Sequence, residues 1–332
     1  MNVLLMHHAT LPVLKYGGTE RVVWCLGKEL ARLGHQVTLL VGPGSTCPFA
    51  RTLTWDPDRP LRDQVPDDVD LVHTFQVPLD MKGFTEGLRQ PHVVTLEGFG
   101  SRYTELDPNT VFVSRHHASR FGSECFVYNG IDWEEYGDPA LSAPRTYVHF
   151  LGDAGWRVKN VKGAIRVARK AGETLHVLGG FRLNFRMGFR LTLSPGVKFH
   201  GWVGGEEKLR LLRGSKAMVF PVRWHEPFGI AITESLFYGC PVFATPYGSL
   251  PELVTEEFGF LSDDASALAA ALRDSGRYDR RRCHEYARDR FGSRPMAVAY
   301  VEKYEQVLAG RALNPVAPRR QAQDPKMLPF KG

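Results

Sequence analysis

Two Rossmann-like α/β domains, each built on a parallel sheet, are predicted by three observations on this 332-residue sequence. Short apolar runs alternate with helical patterns along most of the chain. The alternation stops at Asp138-Pro139-Ala140-Leu141-Ser142-Ala143-Pro144, which has linker composition, and then restarts. The length also suits about two domains.

In the first half, Val3–Met6 reads as a strand and Thr19–Leu33 as a helix closed by Gly34. Val37–Val41, Leu71–Phe75, Val93–Leu96, Val111–Ser114 and Cys125–Tyr128 follow as further strands. After the linker come the strand Tyr147–Leu151, a helix over Lys162–Lys170, the strands Thr174–Leu178 and Val197–His200, a helix over Glu206–Arg213 and the strand Ala217–Phe220. A helix opening near Pro227 precedes the strand Val242–Ala244, and Ser249-Leu250-Pro251-Glu252 has the form of a capping box. Met296–Leu308 is a late helix expected to pack back on the first domain.

Composition excludes several classes. Hydrophobic residues make up 43% and charged residues 23%, an ordinary soluble balance with enough apolar material for real cores. No stretch approaches the roughly 18 apolar residues of a membrane span. The N-terminal segment reads as a strand rather than a signal peptide, so a cytoplasmic protein is expected. The five cysteines are scattered without C-x-x-C, which argues against a disulfide framework or a zinc site. Much of the net charge of +6 comes from residue 311 onward, where Arg311, Arg319, Arg320, Lys326 and Lys331 face only Asp324. That Pro-containing basic tail, 311–332, is expected to be flexible, and nucleic acid is not the expected partner.

The chemistry concentrates in the second half. Glu226 and Glu234 flank Pro227-Phe228-Gly229-Ile230, so one carboxylate lies at or before a helix start and the other one to two turns inside. Between them, first-turn N–H groups of Phe228, Gly229 and Ile230 would attract an anion. A phosphate there, with carboxylates gripping sugar hydroxyls on either side, makes a nucleotide-sugar site; the alternative is an amphipathic helix with two exposed glutamates. Arg157 and Lys159 follow a strand in Gly152–Asn160, a placement suited either to phosphate or to solvent. The first strand is not followed by G-x-G-x-x-G, which removes the main support for a nicotinamide site, although Gly17-Gly18 allows a close phosphate approach. Asp68-Val69-Asp70 has the form of a metal motif but reads as a loop before a strand, and no metal is expected.

Taken together, Gly17-Gly18-Thr19-Glu20-Arg21, Tyr128-Asn129-Gly130-Ile131-Asp132, Lys159-Asn160, Phe199-His200-Gly201-Trp202-Val203, Glu226-Pro227-Phe228-Gly229 with Glu234, and Pro241–Thr245 with Gly248-Ser249-Leu250-Pro251-Glu252 resemble the retaining family-4 glycosyltransferases, glycosyl transferases group 1. The resemblance implies the GT-B fold, two Rossmann-like α/β domains facing each other across a cleft. It assigns 1–138 to an acceptor domain, onto which 296–308 returns, and 139–295 to a donor domain. It also implies transfer of a hexosyl group from a nucleotide-diphosphate donor with retention and without a metal or cofactor, UDP-sugar being preferred over GDP-sugar. Glu226 would contact the donor sugar and Glu234 the ribose. Phe228, Gly229 and Ile230 would offer amides, while Lys159 and Arg157 would neutralise the diphosphate. The Trp202-Val203 backbone would face the base, and Gly18 would approach the diphosphate.

Two departures from the family stand out. Asp153 replaces an arginine, and Glu97 replaces a histidine near the donor sugar, where a carboxylate would contact a hydroxyl or stabilise positive charge. They keep open a catalytically silent nucleotide-sugar-binding protein, as well as a phosphorylase of the same fold. The acceptor is expected to be a carbohydrate, a lipid-linked molecule or a small molecule, with peripheral contact at the inner face of a membrane; base, sugar, acceptor and oligomeric state are not legible. His7, His8, His73, His116 and His117 read as partly buried or surface histidines. Arg182, Arg186 and Arg190 recur at helical spacing amid Phe181, Phe185 and Phe189, which predicts a solvated basic face beside a buried aromatic row, the alternative being a basic helical stripe for an acidic acceptor or a membrane surface.

Overall fold

The computed structural model describes residues 1–13, 17–75, 84–98, 105–185, 189–322 and 325–332. The chain forms two compact units. The first comprises Met1–Val13, Gly17–Trp133 and Phe291–Gln323; the second comprises Glu134–Arg290 with the final residues to Gly332.

The N-terminal unit carries a six-stranded parallel sheet of β1 (Asn2–His7), β2 (Gln36–Val41), β3 (Arg51–Thr54), β4 (Leu71–Phe75), β5 (His92–Leu96) and β6 (Thr110–Phe112). Its spatial order is β3-β2-β1-β4-β5-β6. β1, β4 and β5 are almost wholly buried, as continuous apolar runs in a parallel sheet should be. Helix α1 (Gly18–Arg32) turns Val22, Val23, Leu26 and Leu30 inward, and α2 (Arg115–Ser119) is capped by the Ser114 hydroxyl accepting from the His117 amide. Cys125–Tyr128 is not a full strand, since only Phe126 bridges to Phe112. The edge strand β3 was not legible, because Arg-Thr-Leu-Thr lacks an apolar run and stays half exposed.

The C-terminal unit repeats the plan with β7 (Tyr147–Leu151), β8 (Leu175–Leu178), β11 (Val197–Phe199), β12 (Ser215–Phe220), β13 (Val242–Ala244) and β14 (Gly259–Leu261), ordered β11-β8-β7-β12-β13-β14. Between β8 and β11 lies a separate antiparallel pair, β9 (Leu183–Asn184) and β10 (Arg190–Leu191). The helices are α3 (Val161–Ala171), α4 (Gly205–Arg213), α5 (Ile230–Phe237), α6 (Leu250–Leu253), α7 (Ala265–Arg273) and α8 (Arg280–Arg290). The Asn160 side chain caps α3 through the Gly163 amide, and left-handed Gly172 ends it. The boundary between units falls at Trp133, ahead of the linker composition, because Tyr136 is buried in the second unit against Glu234.

Two expectations are corrected here. The stretch holding Arg182 and Arg190 is a hairpin rather than a helix, and Arg186 lies outside the described residues. Arg190 is buried while the aromatics face outward, the reverse of the predicted burial: Phe185 is 72% and Phe189 67% exposed. The tail is also not free. Leu106 donates to the Pro318 carbonyl and Arg319 to that of Phe121 in the first unit, while Leu328 donates to Arg223 and Lys331 to Asp263 in the second.

Helix α9 (Ser293–Leu308) belongs to the N-terminal unit, burying Met296, Ala297, Tyr300, Tyr304 and Val307. It enters beside Tyr128–Asp132: Ile131 donates to the Phe291 carbonyl and Ser293 to that of Ile131. Gly130 is needed there, because a Cβ would lie 2.3 Å from the Gly292 carbonyl oxygen. Asp132 anchors the same corner through Lys28, 2.6 Å away. Deeper in, His73 Nδ1 lies 2.7 Å from the Tyr304 hydroxyl and Nε2 2.7 Å from Thr95 Oγ1, which is 2.8 Å from the Tyr300 hydroxyl. Complete burial lowers His73 to about 3, so the ring is neutral and both nitrogens need partners.

Tyr304→Phe leaves one buried imidazole nitrogen unmet and should cost about 1–3 kcal/mol. Thermal or urea unfolding measures this, and an unchanged midpoint would show that the network contributes nothing.

Candidate functional site

Parallel sheets of this order bind ligands at the carboxyl ends of the strands where the order reverses. In the C-terminal unit that point lies between β7 and β12, and the loops leaving these two strands carry Lys159 and Glu226. The Lys159 ammonium sits 2.9 Å from Glu226 Oε1 and 2.7 Å from Oε2, and the Trp224 indole N–H donates to Oε2 at 2.7 Å. Both charged side chains are nearly excluded from water, at 10% and 8% exposure. Rings of Trp224, Phe220 and Trp156 stand 4.8, 5.3 and 5.9 Å from the ammonium. Such faces attract a cation, more so when water is absent.

Backbone contacts hold the two loops together. Arg223 donates to the Val158 carbonyl at 2.7 Å, and the Asn160 side chain donates to that of Pro221 at 2.8 Å. Asp153 closes the turn after β7 by accepting from the Gly155 amide at 2.7 Å, so this departure from the family pattern has a conformational role. Ser249 donates its amide to the Glu226 carbonyl at 2.9 Å, and its hydroxyl bonds to the Phe228 carbonyl instead of capping α6 as expected. Gly248 lies flat on Glu226: at φ +68° a Cβ would stand 2.3 Å from both the Glu226 nitrogen and oxygen. No other residue fits that approach.

Helix α5 begins at Ile230 rather than near Pro227, because Gly229 adopts a φ of 105° that breaks the first turn. Glu226 therefore lies on the loop before the helix, and Phe228 is buried. Gly229 as N-cap has no side chain to occupy the first-turn amides. Glu234, in the second turn, is buried and accepts at Oε1 from Lys208 at 2.6 Å and from the Tyr136 hydroxyl. The next residue, Ser235, lies 2.8 Å from His149 Nε2, and Ser215 lies 2.7 Å from Nδ1, which ties α5 to β7 and β12. Burial lowers His149 to about 3.

Arg157 is exposed and, with Lys162, Arg190 and Arg223, lines a cavity of about 390 Å³ whose lining includes no carboxylate. Val203 is buried and Trp202 half-buried beyond the end of β11, where the Gly201 amide and carbonyl bond to Gly180 and Gly179. Lys208, Tyr136, Trp156 and Trp224 were missed from sequence. Only Trp224, two residues before Glu226, offered a local signal.

Gly18 and Glu97 belong to the N-terminal unit. Gly18 opens α1, and Glu97 follows the carboxyl end of β5. The Asn129 amide donates to Glu97 Oε2 at 2.8 Å, while Glu97 Oε1 is buried without a hydrogen-bond partner among the described residues. Burial pushes this carboxyl up to about 7, partly offset by the Asn129 bond and aided by the Glu20 charge. Asp68 and Asp70 are engaged by Asn2 and Arg51 at the start of the sheet.

Residues 145–275 match the family of glycosyl transferases group 1. The chain is 26% identical over 148 residues to a 41.2 kDa protein in the cps region of Klebsiella pneumoniae, a match spanning 42% of this chain and 40% of that protein. Among solved structures, AviGT4, a glycosyltransferase involved in avilamycin A biosynthesis, is 23% identical with a TM-score of 0.75, covering 93% of this chain and 98% of its own. Sucrose-phosphate synthase from Thermosynechococcus elongatus is 19% identical with a TM-score of 0.69, covering 93% and 99%. Anabaena HepE, in complex with UDP and glucose, is 17% identical with a TM-score of 0.64, covering 92% and 100%. The two parallel-sheet α/β domains are those of GT-B glycosyltransferase structures.

Lys208→Met strands the buried Glu234 charge and should cost about 3–5 kcal/mol, most of it recovered by adding Glu234→Gln. A double-mutant cycle measures this, and simple additivity would refute the pairing. Glu97 has the opposite sign from an ordinary carboxyl. From about pH 4.5 to about 7 the folded chain holds a proton that the unfolded chain lacks, so stability falls as pH rises through that window and levels off above it. Glu97→Gln should flatten that fall in melting curves taken at pH 5 to 8. A parallel pH profile in the variant would contradict it.

Proposed function

We propose that the chain is a retaining, metal-independent glycosyltransferase of hexosyl type. It takes a nucleotide-diphosphate sugar, UDP-sugar in preference to GDP-sugar, and serves a carbohydrate, lipid-linked or small-molecule acceptor. The observation that carries this reading is the caged Lys159–Glu226 pair at the switch point of the C-terminal sheet, inside the segment that matches glycosyl transferases group 1. UDP and glucose bound to HepE support the choice of donor.

The roles follow from charge and lone-pair counting. A carboxylate offers about four acceptor directions. Lys159 and Trp224 take three at Glu226, leaving one on Oε1 for a sugar hydroxyl. As the anomeric C–O bond breaks, negative charge grows on the leaving diphosphate, and Lys159 and Arg157 supply the opposing potential with the amides of Phe228, Gly229 and Ile230. The acceptor oxygen bonds to the anomeric carbon on the same face, and its proton passes to the departing phosphate oxygen. Glu234, steadied by Lys208 and Tyr136, receives the ribose, and the Trp202-Val203 backbone faces the base. Glu97 and Gly18 are assigned to the donor sugar and the diphosphate.

A thermal-shift panel of UDP-, GDP- and ADP-sugars tests donor binding. At 100 times its dissociation constant a donor should add about 2.7 kcal/mol of stability. Release of nucleoside diphosphate separates a transferase from a silent binder. Glu226→Gln should lower turnover by about 100-fold or more, and turnover unchanged in that variant would remove Glu226 from the chemistry.

A further inference from the structure

The hairpin β9–β10 presents one face that the fold leaves unburied. Phe181, Leu183, Phe185, Phe189, Leu191 and Leu193 all lie on it and are 46–80% exposed. They occupy alternate positions, as one face of a two-stranded ribbon must, and Leu191 pairs directly with Leu183. The other face is spent internally. Arg182 donates to the carbonyls of Thr192 and Ser194 at 3.1 and 3.2 Å. Arg190 donates to that of Phe181 at 2.9 Å and lies 5.1 Å from the Phe199 ring. An isolated two-stranded hairpin is marginal in water. These arginine bonds hold the ribbon in shape while its apolar side faces solvent. A patch of this kind marks an interaction surface.

We propose that this face docks into the interface of a bilayer rich in anionic phospholipid. The surrounding charge selects that occupant. Among the described residues from Thr174 to Gly205 lie Arg182, Arg190 and Lys198 and neither aspartate nor glutamate, a net charge of +3. On the flank of the hairpin, the cavity that Phe189 and Arg190 share with Lys162 and Arg223 is likewise lined without a carboxylate. Aromatic and leucine side chains entering the headgroup boundary, with cations attracted to lipid phosphates beside them, form the pair of signals that gives reversible surface attachment. A second copy of the chain fits poorly, because a two-fold contact through this face would set its cations against their own copies. No helix among the described residues is long and apolar enough to cross a membrane, so the attachment is peripheral.

Co-sedimentation of the full chain with vesicles of phosphatidylcholine alone, and of equimolar phosphatidylcholine and phosphatidylglycerol, tests the proposal. Affinity should be at least about tenfold higher on the anionic vesicles and should fall with salt. Phe185→Ser with Leu193→Ser should lower it by a further factor of about ten or more, without changing the melting temperature or nucleotide-sugar binding. If that double variant melts early, single Leu193→Ser, at the most exposed position, gives the same reading with a smaller drop. Equal binding to both vesicle types, no binding to either, or a dimer in light scattering that the serine variants dissociate would overturn it. The donor panel is run without lipid, so failure here leaves the transferase reading standing.

Discussion

The ion pair between Lys159 and Glu226 takes two charges out of water, a state that is tolerable only when each finds its partner and the surrounding groups are satisfied. Most of the carboxyl edge of the C-terminal sheet serves that demand. The loops after β7 and β12 are stitched backbone to backbone so that lysine and glutamate meet. The Trp224 indole completes the carboxylate, and three aromatic rings replace water around the ammonium. Gly248 and Ser249 fix the Glu226 backbone from a third loop. Each device is modest by itself; together they leave the pair one geometry.

The second glutamate obeys the same logic. Glu234 is buried, and its charge is met by Lys208 from α4 and by the Tyr136 hydroxyl. His149, kept neutral by burial, joins Ser235 to Ser215 and so sets the position of α5 against the sheet. Two carboxylates eight residues apart are thus each held by a lysine that lies far off in sequence, and α5 is pinned between them.

Much of this was legible in the chain because apolar runs in parallel sheets are continuous. Leu71–Phe75, Tyr147–Leu151 and Val242–Ala244 are strands with those same bounds. What was not legible has physical reasons. Edge strand β3, Arg-Thr-Leu-Thr, holds a single apolar residue, too little to register as a run. The arginines of 182–190 fit a period of four, but the same residues also fit a period of two, and the hairpin wins because the guanidinium groups of Arg182 and Arg190 reach backbone carbonyls across it. Gly229 delays α5 through a backbone angle that composition does not announce. At the site, Glu226, Glu234, Lys159 and Arg157 stood out by type and spacing. The meeting of Lys159 with Glu226 across 67 residues, and of Lys208 with Glu234 across 26, belongs to the fold.

Helix α9 also sets an order of events during synthesis. The N-terminal unit cannot cover Thr95 and His73 until residues 293–308 have left the ribosome, although its strand β1 is made far earlier. The C-terminal unit is nearly continuous from Glu134 to Arg290, and it lacks only the short segment that bonds to Arg223 and Asp263. The half that is translated first therefore waits, with a polar network open to water, until the half translated second has almost finished. A ribosome that stalls before residue 293 leaves behind a nascent N-terminal sheet that cannot close, and such open apolar surface is what chaperones recognise.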